Sequence, residues 1–186
     1  MANKLCVVFP GRRYSADRSL LYFPSTMMAA RGFEVITLHY DISREIDETL
    51  PIDTNIEQAE KYARDFLKDV SWEKYDSIVF LSKSIGTVVS SHIKNDLGEV
   101  KDRVHQIIIT PLEQTLPLID KKDLIIVGDH DRFLGDPKPK LSPFPNAYIF
   151  PSFTHSLESK DNYRLSIKTL ADVCGITDMY LTSIGD

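Results

Sequence analysis

Cysteine is scarce: the 186 residues contain only Cys6 and Cys174, far apart and without Cys-x-x-Cys spacing. That excludes a disulfide-stapled secreted scaffold and a cysteine-based zinc site, so both thiols are expected to be reduced packing residues. Long apolar runs are lacking too, and no stretch approaches the roughly 18 residues a membrane helix needs. The first run, 5–9, ends at Pro10-Gly11 and is too short for a secretory signal, so the expected location is cytoplasmic. There is no basic block: 22 Lys and Arg stand against 27 Asp and Glu, for a net charge of −5. This balance argues against nucleic acid or an anionic membrane as partner and leaves a small molecule as the expected one. Internal repeats and low-complexity tracts are missing as well.

What is present is an ordinary globular composition, 42% hydrophobic and 26% charged. A chain of this length can bury about 70% of its unfolded surface, enough for one core, and a single domain spanning 1–186 is expected. Short apolar runs rich in β-branched and aromatic residues recur at 5–9, 34–38, 77–81, 106–110, 123–127 and 147–150. Most are apolar throughout rather than alternating, as in strands covered on both faces. Helical periodicity separates them at 16–31, 55–70, 84–95 and 159–173. The clearest is 55–70, where Ile56, Ala59, Ala63, Phe66, Leu67 and Val70 share one face and Glu57, Glu60, Lys61, Arg64 and Lys68 the other. Alternating strands and helices predict an α/β architecture with a mostly parallel sheet between two helical layers.

One stretch departs from this rhythm. Residues 132–146 hold four prolines and one glycine where a crossover helix would stand, so that helix is expected to be short or missing and the segment to form a stiff loop. Such a loop at a strand's C-terminal end can wall a pocket.

The chemistry gathers around Ser82-Lys83-Ser84-Ile85-Gly86, which follows an apolar strand and opens a helix carrying Val88, Val89 and Ile93. Small-x-Ser-x-Gly between strand and helix is the pattern of a nucleophile elbow, whose sharp turn brings backbone close to the flanking small residues. A bland alternative is a serine that merely caps the helix. Here the sequence resembles the α/β-hydrolase family, in which the acid and the histidine follow later strands in that order. Gly128-Asp129-His130-Asp131, after the strand at 123–127, is similar to the family's acid turn. The segment from Pro151 through His155 to Glu158 resembles its histidine loop.

The resemblance implies a minimal, doubly wound sheet of about six strands in the order 2-1-3-4-5-6, with ligands bound near the elbow. It implies a Ser84, Asp131, His155 triad: a serine hydroxyl needs a base, and an imidazole needs a carboxylate to fix its tautomer and stabilise its charge. Asp129 is the rival acid, or a cap for the turn. Two backbone amides would hold the oxyanion, one from Ile85 at the helix N-terminus and one from Arg12 after Pro10-Gly11. Only 111–122 is available where larger relatives insert a lid, which implies an open site.

Other residues have quieter readings. His130 between two aspartates is expected to be a solvated turn residue, and His39, His92 and His105 structural or superficial. Lys83 is assigned to salt-bridging or loop support. Arg12 and Arg13 could hold a substrate anion or simply be solvated, while Tyr14, Phe133 and Phe153 could line an acyl pocket or pack loops. Nothing calls for a metal or an organic cofactor. The expected function is a serine hydrolase of the carboxylesterase or thioesterase kind, acting on a small ester or thioester through an acyl-enzyme. The alternative is a hydrolase-fold binding or regulatory protein with little turnover. A flavodoxin-like nucleotide binder would share the strand order, but 10–19 lacks its glycine-rich phosphate loop.

Overall fold

Apolar side chains on both faces of the central runs require cover on both faces, and the computed structural model supplies it. It describes residues 3–40 and 49–186; the expected single domain also takes in 1–2 and 41–48, which lie outside the described residues. The strands are β1 (Lys4–Phe9), β2 (Phe33–Thr37), β3 (Ser77–Ser84), β4 (Val104–Pro111), β5 (Leu124–Gly128) and β6 (Ala147–Phe150). They form one sheet in the order β2-β1-β3-β4-β5-β6, parallel at every pairing. The helices are α1 (Ser19–Ala30), α2 (Ile52–Leu67), α3 (Ile85–Asn95), α4 (Pro137–Leu141) and α5 (Tyr163–Ser183).

Strand side chains alternate between faces. Leu5, Val7 and Phe9 join Ile78 and Phe80 beneath Ala59 and Ala63 of α2 and Val88 and Val89 of α3. Cys6 and Val8 join Val79 and Leu81 beneath Leu20 and Met28 of α1 and Val173 and Leu181 of α5. This is the three-layer, doubly wound arrangement expected from the sequence.

Helix boundaries differ from the periodic pattern in instructive ways. α2 begins three residues early, directly after Pro51, whose extended backbone starts the helix. α5 begins late because Asn162 caps it, its side chain accepting from the Leu165 amide at 3.1 Å. It also runs on through Gly175, since Thr177, Tyr180 and Leu181 remain buried. The proline-rich 132–146 does contain a helix, the five-residue α4, capped by Asp136 accepting from the Lys138 amide. Leu134 and Leu141 pack on Ile125 and Val127, so this segment folds against the sheet.

Candidate active site

β3 ends at Ser84, whose φ of 56° and ψ of −123° turn the chain at once into α3. Positive φ is costly for a non-glycine residue and persists only where the surroundings enforce it. Gly86 makes the turn possible: a Cβ there would lie 2.4 Å from the Phe9 carbonyl oxygen and 2.5 Å from that of Pro10. Thr87 Oγ1 donates to the Ser84 carbonyl at 2.6 Å, fastening the corner from inside the helix. Ser82, where many elbows have glycine, is buried and donates weakly to the Ile107 carbonyl at 3.4 Å.

Ser84 stands at the N-cap position of α3, yet its side chain makes no capping hydrogen bond. Its Oγ lies instead 2.9 Å from Nε2 of His155. The other ring nitrogen, Nδ1, is 2.7 Å from Oδ2 of Asp131, and Oδ1 of Asp131 accepts from the Phe133 amide at 3.0 Å. Three residues separated by up to 71 positions thus form one hydrogen-bonded chain at the C-terminal ends of β3, β5 and β6. Asp131 is 1% exposed and Ser84 9%.

Gly128 lets the histidine loop lie against the end of β5, because a Cβ there would meet the Phe153 carbonyl oxygen at 2.1 Å. Across that contact His130 N–H donates to the Phe153 carbonyl. Asp129 is turned the other way and accepts from the Ser152 amide at 2.6 Å, which makes it a support of the histidine loop. His130 is 69% exposed at its side chain, in keeping with a solvated turn.

Burial pushes the His155 pKa below the ordinary histidine value; the Asp131 hydrogen bond opposes this, and the charges of Lys83 and Arg132 reinforce it. Its imidazole is therefore neutral at neutral pH and able to accept a proton.

The loop after β1 lies beside the serine, so close that a Cβ on Gly11 would be 3.2 Å from the Ser84 Cβ. Gly11 and Tyr14 exchange backbone hydrogen bonds, which places Arg12 and Arg13 at the tip of a tight turn. Tyr40 donates its hydroxyl proton to the Pro10 carbonyl and braces that loop. Ile85, the other expected oxyanion donor, is the first residue of α3, where the helix dipole favours negative charge.

Of the three aromatic candidates for a pocket wall, only Phe133 adjoins the histidine, with 4.6 Å between ring centroids. Tyr14 and Phe153 are buried in the packing beneath α1 and α5. His92 pairs with Glu60 and His105 neighbours Tyr180, both away from Ser84. Lys83 does not follow the salt-bridge expectation: no carboxylate oxygen lies within 4.0 Å of it among the described residues. Its Nζ donates to Thr110 Oγ1 at 2.7 Å and to the His155 carbonyl at 2.8 Å. Sequence reasoning missed these contacts. The signal was a lysine continuing the inward row of Val79 and Leu81.

Among the described residues no group of three or more His, Cys, Asp or Glu could hold a metal ion, and no helix is long and apolar enough to cross a membrane. The connection from β4 to β5 holds one short 3-10 helix, Glu113–Leu118, where a lid would be inserted.

No family model matches the sequence, and no curated protein does. The backbone is nevertheless similar to solved structures over nearly its whole length. A serine hydrolase without a lid from Xanthomonas campestris is 15% identical, with 98% of this chain and 83% of that one covered at a TM-score of 0.68. A serine hydrolase homologue from Coxiella burnetii is 12% identical, covering 94% and 84% at 0.63. An esterase of Pyrococcus furiosus is 12% identical, covering 98% and 83% at 0.62. The fold is that of the α/β hydrolases.

Proposed function

We propose that the protein is a serine hydrolase that cleaves a small ester or thioester through an acyl-enzyme, with Ser84 as nucleophile, His155 as general base and Asp131 as the acid that orients it. The observation that carries this reading is the unbroken chain from Ser84 Oγ to His155 Nε2 and from His155 Nδ1 to Asp131, at 2.9 and 2.7 Å. The resemblance of the fold to serine hydrolases, one described as an esterase, supports it.

As Oγ attacks the substrate carbonyl, its proton passes to Nε2, and the buried Asp131 carboxylate stabilises the resulting imidazolium. The carbonyl oxygen becomes an oxyanion, to be held by the backbone N–H groups of Ile85 and Arg12. His155 then returns the proton to the departing alkoxide or thiolate, leaving the acyl group on Ser84. Water, deprotonated by the same imidazole, releases the acid and restores the serine. The free thiols Cys6 and Cys174 suit a cytoplasmic setting.

The test is fluorophosphonate labelling of wild type beside Ser84→Ala, read by intact mass, with p-nitrophenyl acetate turnover measured in parallel. A single adduct on wild type alone, with turnover lost in the variant, is expected. A folded wild type that takes no adduct would instead indicate a binding protein with little turnover.

A further inference from the structure

Lys83 directly precedes the proposed nucleophile and is 2% exposed, a rare situation for a lysine that has no carboxylate partner among the described residues. The strand pleat sends its side chain to the face opposite that of Ser82 and Ser84, so it does not touch the serine hydroxyl. It runs along the α1 face, and the ammonium meets three electron-rich groups. They are Thr110 Oγ1 at 2.7 Å, the His155 carbonyl oxygen at 2.8 Å, and the ring of Tyr14 with its centroid 4.8 Å away. An ammonium has three N–H donors, one for each.

These contacts belong to three separate segments. Thr110 is the extra residue where the β3–β4 register slips: Lys83 pairs with Ile109 but Ser84 with Pro111, and Thr110 takes a φ of 46°. Such a φ is a true outlier for a β-branched residue. Tyr14 closes the loop that carries Arg12. His155 lies in an irregular segment between β6 and α5, with Ser152 and Leu157 at positive φ. Regular structure fixes little of that segment. Asp129 holds one end of it at Ser152, and Lys83 holds His155 itself.

We propose that Lys83 is a positioning residue for the reaction: its ammonium ties the backbone of His155 to the end of the nucleophile's own strand and so sets the imidazole within hydrogen-bond reach of Ser84. The inference rests on the hydrolase reading above and extends it to a residue that touches no substrate. It accounts for a buried cation at this point, since a methionine would fill the same space without desolvating a charge. The charged groups that bear on the ammonium are Asp131 and Glu158, which favour it, and Arg18, which opposes it; burial outweighs all of them and brings the pKa down to about 7. The same positive charge helps keep His155 neutral.

The test compares wild type with Lys83→Met and Thr110→Val. Displacing a catalytic group by about 1 Å costs on the order of 100-fold. Lys83→Met is therefore expected to lower kcat on p-nitrophenyl acetate by about that factor while KM changes less than about threefold. Thr110→Val, which removes one anchor of the ammonium, should lower it less. His155 is titrated in parallel by NMR in both variants and wild type, a readout that needs no turnover. Loss of the Lys83 charge should raise the His155 pKa and move the acid limb of kcat/KM to higher pH. A folded Lys83→Met with wild-type kcat and an unmoved His155 titration overturns the proposal. So does a variant that only melts lower, with unchanged turnover per folded molecule. Should Lys83→Met fail to fold, an unaltered kcat and His155 titration in Thr110→Val overturns it equally. A wild type without esterase turnover or fluorophosphonate labelling would refute the hydrolase reading, while the His155 titration would still decide whether Lys83 governs the imidazole.

Discussion

Two lysines of this protein are equally buried, at 2% exposure, and sit at opposite ends of the sheet in opposite company. Lys94, on α3 near the N-terminal ends of β4 and β5, is held by Asp120 at 2.7 Å and by the fully buried Asp123 at 3.1 Å. Asp123 also accepts from the backbone and side-chain N–H groups of Gln106 and from the Asp120 amide, so its acceptor sites are filled. Lys83, at the C-terminal ends, has a hydroxyl, a carbonyl and an aromatic face, and among the described residues no anion in contact. The end with Lys94 is built to neutralise its charge locally. The other end buries an amine that has no carboxylate contact among the described residues, beside three residues at positive φ, Ser84, Thr110 and Ser152, and next to a hydrogen-bonded Ser-His-Asp chain. Local rules broken together in one place mark a working site more surely than any single residue does.

That contrast predicts different penalties at the two ends. The largest should come at the triad, where Asp131→Asn is expected to lower kcat by about 10⁴-fold by leaving His155 with the wrong tautomer. Asp129→Asn should stay within about tenfold, since an amide oxygen can still accept from Ser152. Esterase assays of the two variants separate them, and equal losses would erase the distinction between acid and loop support.

At the other end the expected loss is in stability. Lys94→Met strands the Asp123 carboxylate, which should cost about 3–5 kcal/mol. For a chain of this size that corresponds to a melting point lower by about 6–20 °C, with kcat per folded molecule unchanged. Calorimetry and active-site titration check both halves.

The smallest effect is a pH trend. Unfolded Lys83 holds its proton up to its ordinary pKa of 10.5, whereas folded Lys83 releases it near 7. Between those values the unfolded chain binds more protons, so this group makes stability rise with pH across that window. Burial raises the Cys6 and Tyr180 pKa values and pulls the other way, so the check is the difference: from pH 7 to 10 the denaturant midpoint of wild type should gain on that of Lys83→Met.

The strands were legible in the sequence for a physical reason, whereas their order and the candidate set Ser84, Asp131 and His155 came from the resemblance to the α/β hydrolases. Strands buried on both faces leave continuous apolar runs, and a close backbone crossing leaves glycine, as at Gly86 and Gly128. Helix ends were less legible because they depend on tertiary packing: α5 continues past Val173 only because Tyr180 and Leu181 find a core, with the Tyr180 hydroxyl donating to the Lys122 carbonyl. Lys83 was read as salt-bridging or loop support, and its partners could not be named. They lie 27 and 72 residues away, and one is a backbone carbonyl that leaves no trace in the sequence. For the same reason the pairing of Asp129 with the Ser152 amide was legible only as a cap of unspecified target.

The backbone at Ser84 has a further consequence for the fate of the chain under selection. A φ of 56° is one that glycine adopts freely and serine does not, so a Ser84→Gly chain should fold more stably than the original. Heat resistance and a hydroxyl at this corner therefore pull in opposite directions. A population of variants screened for thermal survival alone would drift toward losing Ser84, whereas one screened for turnover would keep it at the expense of its melting point.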